Sequence, residues 1–156
     1  MIRIIEESDI GQVLELVKEF KKESFNKTHA YIEEAAIRQR IIQSVETGDP
    51  IVFVALQDGK IVGIIAGILS TAYADFNKKI GIELIWIVNK NYRGGSVGTR
   101  LFKTLEDKLF ELGADSVIFT AGNYSVQTNN SHLLEKMYRR NGYEKLEVQY
   151  IKQRRI

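Results

Sequence analysis

The chain has 156 residues, 44% hydrophobic and 27% charged, so it can bury roughly two-thirds of the surface an unfolded chain would expose, and no segment reads as long disorder. A formal net charge of +2 argues against nucleic-acid binding as the main task, and the absence of cysteine rules out a disulfide framework, a thiolate nucleophile and a cysteine zinc site. No apolar run approaches the roughly 20 residues that span a bilayer, and the first residues turn acidic too soon for a signal peptide. The expectation is a cytoplasmic protein with one domain over residues 1–156.

Ile2 to Ile5 reads as a short strand. Ser8 then looks like an N-cap, with Asp9 in the positive first turn. Ile10, Val13, Leu14, Val17 and Phe20 follow at helical spacing. A second helical pattern, Ile37, Ile41, Ile42 and Val45, ends at Gly48 as its C-cap. Lys21 to Tyr31, between the two, is polar with scattered aromatics.

Ile51 to Leu56 is a strand, and Asp58-Gly59 is a strong hairpin signal leading into Ile61 to Leu69. Lys79 to Val88 is a further strand. Strict alternation puts Ile80, Ile82, Leu84, Trp86 and Val88 on one face and Gly81, Glu83, Ile85 and Ile87 on the other. Val97, Leu101, Leu105 and Leu109 then recur every four residues, and Gly113 closes that helix. Ser116 to Ala121 is a short strand, Gly122 to Asn130 a polar loop, and Ser131 to Arg140 a last helix ended by Gly142. Tyr143 to Lys152 alternates as a final strand. The order is β-α-α-β-β-β-α-β-α-β.

The most informative stretch is Arg93-Gly94-Gly95-Ser96-Val97-Gly98-Thr99, between an apolar strand and an amphipathic helix. Free N–H groups at a helix N-terminus bind anions, the helix dipole adds to the attraction, and glycine lets the backbone come close to a phosphate. Arg93 and Arg100 add charge, and Ser96 or Thr99 adds a hydroxyl. A P-loop would need Gly-Lys-Ser/Thr at its end, and a dinucleotide fold would need Gly-x-Gly-x-x-Gly after the first strand. Neither fits. His29 and His132 form no metal-ligand spacing, and no metal is expected.

The stretch Glu83 to Phe102 resembles the GCN5-related N-acetyltransferase (GNAT) superfamily, whose signature is Gln/Arg-x-x-Gly-x-Gly/Ala. Arg93 and Gly98 match the outer positions; Ser96 stands where the family has its middle glycine. Met137-Tyr138-Arg139-Arg140-Asn141-Gly142-Tyr143 is similar to the family's Tyr-x-x-x-Gly-Phe. The resemblance implies an α/β fold with a mixed, mostly antiparallel central sheet of about 6–7 strands and about four helices.

It also implies a function. Acetyl-CoA would be the co-substrate and a primary amine, on a small molecule or a protein, the acceptor. Pyrophosphate would sit on Arg93, Gly94, Gly95, Ser96, Val97, Gly98 and Thr99. Pantetheine would run beside Trp86, Ile87 and Val88, with a backbone N–H at Val88 or its neighbour polarising the acetyl carbonyl, and Asn130 would reach the cofactor. Tyr138 is the candidate general acid, because a phenol near pKa 10 can protonate a departing thiolate. Glu83, a carboxylate interrupting an apolar strand, is the candidate base, directly or through water. The acceptor pocket is expected from Lys21 to Tyr31, Ser70 to Asn77 and Gly122 to Thr128, with Tyr31, Tyr73, Phe76 and Tyr124 in it and Asp75 placed to anchor a cation. Two rival readings are a non-catalytic acyl-CoA-binding module, favoured only by Ser96, and a toxin that acetylates charged tRNA, disfavoured by the small net charge. The sequence leaves a homodimer open.

Overall fold

The computed structural model describes residues 1–23, 32–121 and 131–154. The elements in chain order are β1 (Ile2–Ile4), a 3-10 turn (Glu7–Asp9), α1 (Ile10–Glu23), α2 (Glu34–Thr47), β2 (Ile51–Gln57), β3 (Lys60–Ala72), β4 (Asp75–Val88), a 3-10 turn (Lys90–Tyr92), α3 (Ser96–Glu111), β5 (Ser116–Ile118) and α4 (Ser131–Arg140). The strands lie in the order β1-β2-β3-β4-β5. All pairs are antiparallel except β4 with β5, which is parallel.

Helices cover both faces of this sheet. On one side Val13, Val17 and Phe20 of α1 and Ile41 of α2 pack on Val52, Val54, Ile64, Ala66 and Ile87. On the other, Val97, Leu101, Leu105 and Leu109 of α3 pack on Ile51, Phe53, Ala55 and Ile65. Burial on both faces explains why β2 and β3 read as continuous apolar runs rather than alternating ones. The leucine stripe of α3 lies over glycines of the sheet. A Cβ at Gly63 would sit 2.8 Å from Leu101, at Gly67 3.1 Å from Leu105, and at Gly81 2.9 Å from Leu109. These three bare positions let α3 lie close on the sheet, and so fix where its N-terminus falls.

Gly48 ends α2 in the left-handed region, as its sequence position implies. The Asp58-Gly59 turn has φ of 51° and 74°, matching the primed hairpin turn that Asp-Gly favours. A second hairpin, turning at Tyr73 and Ala74, joins β3 to β4 and begins β4 earlier than expected; that turn carries none of the Asn-Gly or Asp-Gly chemistry that marks the first.

Three expectations need correction. Ser8 is not the cap of α1: the 3-10 turn precedes the helix, and Asp9 accepts the Glu6 N–H at 2.8 Å while pairing with Arg3 at 2.7 Å. The Arg3 guanidinium beside it holds the Asp9 carboxyl below its usual range. The sheet has five strands among the described residues, not six or seven. Residues 143–152 join no ladder, and Leu146, Val148 and Tyr150 are 73%, 59% and 94% exposed. Their alternation suits a strand, but pairing needs a partner edge, which local sequence does not supply.

The third correction concerns β4. Ala66 pairs with Ile85 but Gly67 pairs with Glu83, so Leu84 is an extra residue, a β-bulge. Past it the alternation changes phase. Glu83 and Gly81 therefore share the α3 face with Trp86 and Val88, while Ile85 and Ile87 face α1. Among the described residues no helix is long and apolar enough to cross a membrane.

Candidate functional site

β4 and β5 form a fork. They pair at Ile80–Ser116, Gly81–Val117 and Ile82–Ile118, and no further. Beyond Ile82 one edge of β4 is open among the described residues. In an antiparallel ladder alternate residues turn both backbone groups to the partner strand. Asn89 donates its N–H to Val62 of β3 at 2.8 Å, so Ile87 and Ile85 also face β3. Trp86 and Val88 therefore turn their N–H and C=O groups to the open edge.

Glu83 sits where the fork divides. Its carboxylate accepts the Thr120 N–H at 3.2 Å and is only 8% exposed. Burial disfavours the charged form and pushes its pKa from 4.5 to about 7, while hydrogen bonds from the Thr120 backbone and side chain pull the other way. A carboxyl at that value is poised to exchange protons near neutrality.

Tyr138 of α4 lies on the same side. It is 7% exposed, and its hydroxyl donates to the Thr120 carbonyl at 2.7 Å. Thr120 thus touches both Glu83 and Tyr138. The Tyr138 ring packs on Phe102, Phe119 and Tyr143, with centroids 5.8, 6.2 and 5.5 Å away. Tyr143 donates its hydroxyl to Glu106 at 2.5 Å, and Glu106 also pairs with Lys103. Burial and the neighbouring carboxylate push the Tyr143 pKa far upward, so it stays a donor. Gly98, Phe102 and Glu106, four residues apart, make a second stripe on α3 that faces this cluster. The leucine stripe beside it is the more conspicuous pattern, so sequence reading passed over Phe102 and Thr120.

The open end of the fork meets the N-terminus of α3. The helix starts at Ser96, with Gly95 at the N-cap, no side-chain cap and no acidic residue in the first turn. The first backbone N–H groups of a helix have no partner inside it, so Ser96, Val97 and Gly98 present free donors. In this loop only Gly94 has a positive φ, 81°. Ser96 is an ordinary first helical residue and needs no glycine freedom. A Cβ at Gly98 would lie 3.6 Å from Trp86 Cζ2 and 3.7 Å from Val88 Cγ2, so this turn rests on the end of β4. The indole Nε1–H is buried without an acceptor among the described residues. It shares a ring edge with Cζ2, the atom nearest Gly98.

Arg93 turns away from that helix end. Its Nε donates to the Val88 carbonyl at 2.8 Å, and its guanidinium pairs with Glu23 at the end of α1. There a cavity of about 270 Å³ opens on the α1 side, lined by Phe20 and Ile87 and by Glu19, Lys22, Glu23 and Arg93.

Of the expected acceptor residues, those described on the β3–β4 turn lie away from the fork. Tyr73 and Phe76 are 101% and 88% exposed at the β3–β4 turn. At about 3.3 Å per residue this tip is roughly 25 Å from Glu83 along the strand. Asp75 there accepts the N–H of its neighbour Asn77 at 3.0 Å. Tyr31, Tyr124, Asn130, His29 and the segment 122–128 lie outside the described residues. His132 is exposed on α4. Among the described residues no group of His, Asp or Glu side chains could hold a metal ion.

Residues 12–143 match the sequence model of a family described as the acetyltransferase (GNAT) family. Comparison with curated protein sequences gives no match. Among solved structures, an acetyltransferase from Trypanosoma brucei superposes with a TM-score of 0.72 at 19% identity, covering 98% of each chain. Glucosamine-6-phosphate N-acetyltransferase from Arabidopsis thaliana gives 0.72 at 20% identity, covering 98% of this chain and 97% of that one. An aminoglycoside N-acetyltransferase in complex with CoA gives 0.68 at 13% identity, covering 100% of both. At such identities the likeness is one of fold.

Proposed function

The chain belongs to the acetyltransferase (GNAT) family, and from that premise we propose that it transfers an acetyl group from acetyl-CoA to a primary amine of a small molecule or protein, by direct attack in a ternary complex. The observation that carries this reading is the fork: a buried carboxylate and a buried phenol meet at its base, and an uncapped helix N-terminus lies at its open end. A cytoplasmic location goes with it.

The residues present suit acetyl-CoA. The free N–H groups of the first turn of α3, with Gly94 and Gly95 before it, hold the pyrophosphate. The open edge of β4 pairs with the amide-rich pantetheine through the backbone of Trp86 and Val88, on either side of Ile87, and Arg93 braces that edge through the Val88 carbonyl. The bound co-substrate supplies an acetyl thioester. The outward N–H of Val88 donates to the acetyl carbonyl oxygen and stabilises the negative charge that develops there. Glu83 takes the proton that an incoming ammonium must lose, directly or through a water. Tyr138 gives a proton to the departing sulfur. In this structure its hydroxyl is engaged by Thr120, so it must turn from that carbonyl to do so.

The support from Ser96 for a non-catalytic module disappears, because Ser96 occupies an unstrained helical position. Tyr138→Phe tests the reading. It keeps the ring in its aromatic cluster and removes only the hydroxyl. The expected result is a fall in kcat of about 10²-fold, the low end for loss of a general acid because a thiolate leaves readily, with acetyl-CoA affinity by calorimetry unchanged. Equal loss of both would assign Tyr138 to packing, and no acetyl-CoA binding by the wild type would overturn the reading.

A further inference from the structure

We infer that Thr120 is a positioning residue for this reaction, setting the spacing between Glu83 and Tyr138 by holding the carboxylate with its N–H and its hydroxyl and the phenol with its carbonyl. The inference rests on the proposed roles of those two residues and adds one that no sequence motif marks. Thr120 lies two residues past the last pair of β5, where the backbone leaves the sheet and its N–H and C=O are no longer committed to a ladder. Its N–H reaches Glu83 at 3.2 Å and its carbonyl receives the Tyr138 hydroxyl at 2.7 Å. Two side chains from separate elements, 55 positions apart in sequence, are thereby registered against one residue. The arrangement does not close the site, because Thr120 is itself exposed.

The groups that face Glu83 from the elements packed on it are few. Gly67 is opposite on β3, Thr120 follows β5, and Tyr138 stands behind Thr120 on α4. On α3 the nearest ionisable pair, Glu106 and Lys103, is taken up with Tyr143 and with each other. Lys79, earlier on β4, donates its backbone N–H to Asp115. Among the described residues no charged group contributes to the behaviour of Glu83, which burial raises and hydrogen bonds from Thr120 lower. Hydrogen bonds from Thr120 favour the ionised carboxylate.

The test is the pH profile of kcat/KM for wild type, Thr120→Val and Thr120→Ser, with acetyl-CoA and any accepted amine. Valine keeps the shape and the backbone N–H but loses the hydroxyl bond; serine restores it. The acidic limb should move up by about one pH unit in T120V, a loss typical of a hydrogen bond to a carboxylate, and return in T120S, with KM for acetyl-CoA unchanged in both. A uniform fall at every pH with the limb unmoved would reduce Thr120 to packing and overturn the inference. Glu83→Gln separates this from failure of the underlying reading. If E83Q keeps the wild-type limb, Glu83 is not the base and both fall. If E83Q abolishes the limb while T120V leaves it in place, only the role of Thr120 falls.

Discussion

Glu83→Gln should lower kcat/KM near pH 8 by about 10²–10⁴-fold, the span expected when a positioned base is lost, and at the same pH should make the protein harder to unfold. Glutamine keeps the shape of the side chain and an oxygen for the Thr120 N–H, but cannot take a proton. The stability effect follows from burial. The Glu83 carboxyl titrates at about 7 in the folded chain against an ordinary 4.5. Between those values the folded state binds the proton more tightly than the unfolded state. The stability this contributes is therefore complete below 4.5 and is lost as pH rises through about 7. The span corresponds to about 3 kcal/mol. Glutamine carries no charge to bury, so E83Q gains up to that amount relative to wild type in alkaline buffer and nothing in acid. Urea unfolding at both extremes, beside the rate, reads the two effects. A side chain that only packs would lose activity and stability together.

Phe102→Ala should cost about 3–5 kcal/mol, the usual range for removing a buried ring. Phe102 is 0% exposed and central to the aromatic cluster. Its ring stacks on Trp86 at 5.9 Å, meets Phe119 edge-on at 4.8 Å, and touches Tyr138 and Tyr143. It is the common neighbour of the strand that would carry the thioester and the helix that carries the phenol. A domain is stable by only about 5–15 kcal/mol, so the loss should appear as a large drop in the urea midpoint at unchanged slope. Where F102A still folds, Tyr138 loses its backing and turnover should fall beyond the unfolded fraction. A midpoint shift below about 1 kcal/mol would mean that the cluster closes over the gap, contrary to the close packing of protein interiors.

Features set by local chemistry were legible in the sequence. The four-residue spacing of Val97, Leu101, Leu105 and Leu109 placed α3, Asp58-Gly59 placed the first hairpin, and the glycines after an apolar strand placed the turn that leads into α3. Tyr138 and Glu83 were named from motif position and from one acid in an apolar strand, and the fold sets them on either side of Thr120. Features decided by pairing between distant segments were not legible. The bulge at Leu84 depends on how β4 meets β3, and it moves Glu83 to the opposite face from the one simple alternation gives. Arg93 was read as a phosphate ligand from its motif; its partner Glu23 lies 70 positions away, and no local pattern announces it. Thr120 takes part through its backbone, and a backbone contact leaves little trace in residue type. The missing final strand has the same cause: alternation over 143–152 describes a surface that suits a sheet, not an edge that receives it.

The central claim is that the fork moves an acetyl group from acetyl-CoA to an amine. The most direct measurement is release of free CoA thiol on incubating the protein with acetyl-CoA and a panel of primary amines, with and without each amine, across pH. The account predicts amine-dependent release that rises with pH through about 7, where Glu83 ionises. Tight acetyl-CoA binding without thiol release from any amine or any fraction of a cell lysate would contradict it.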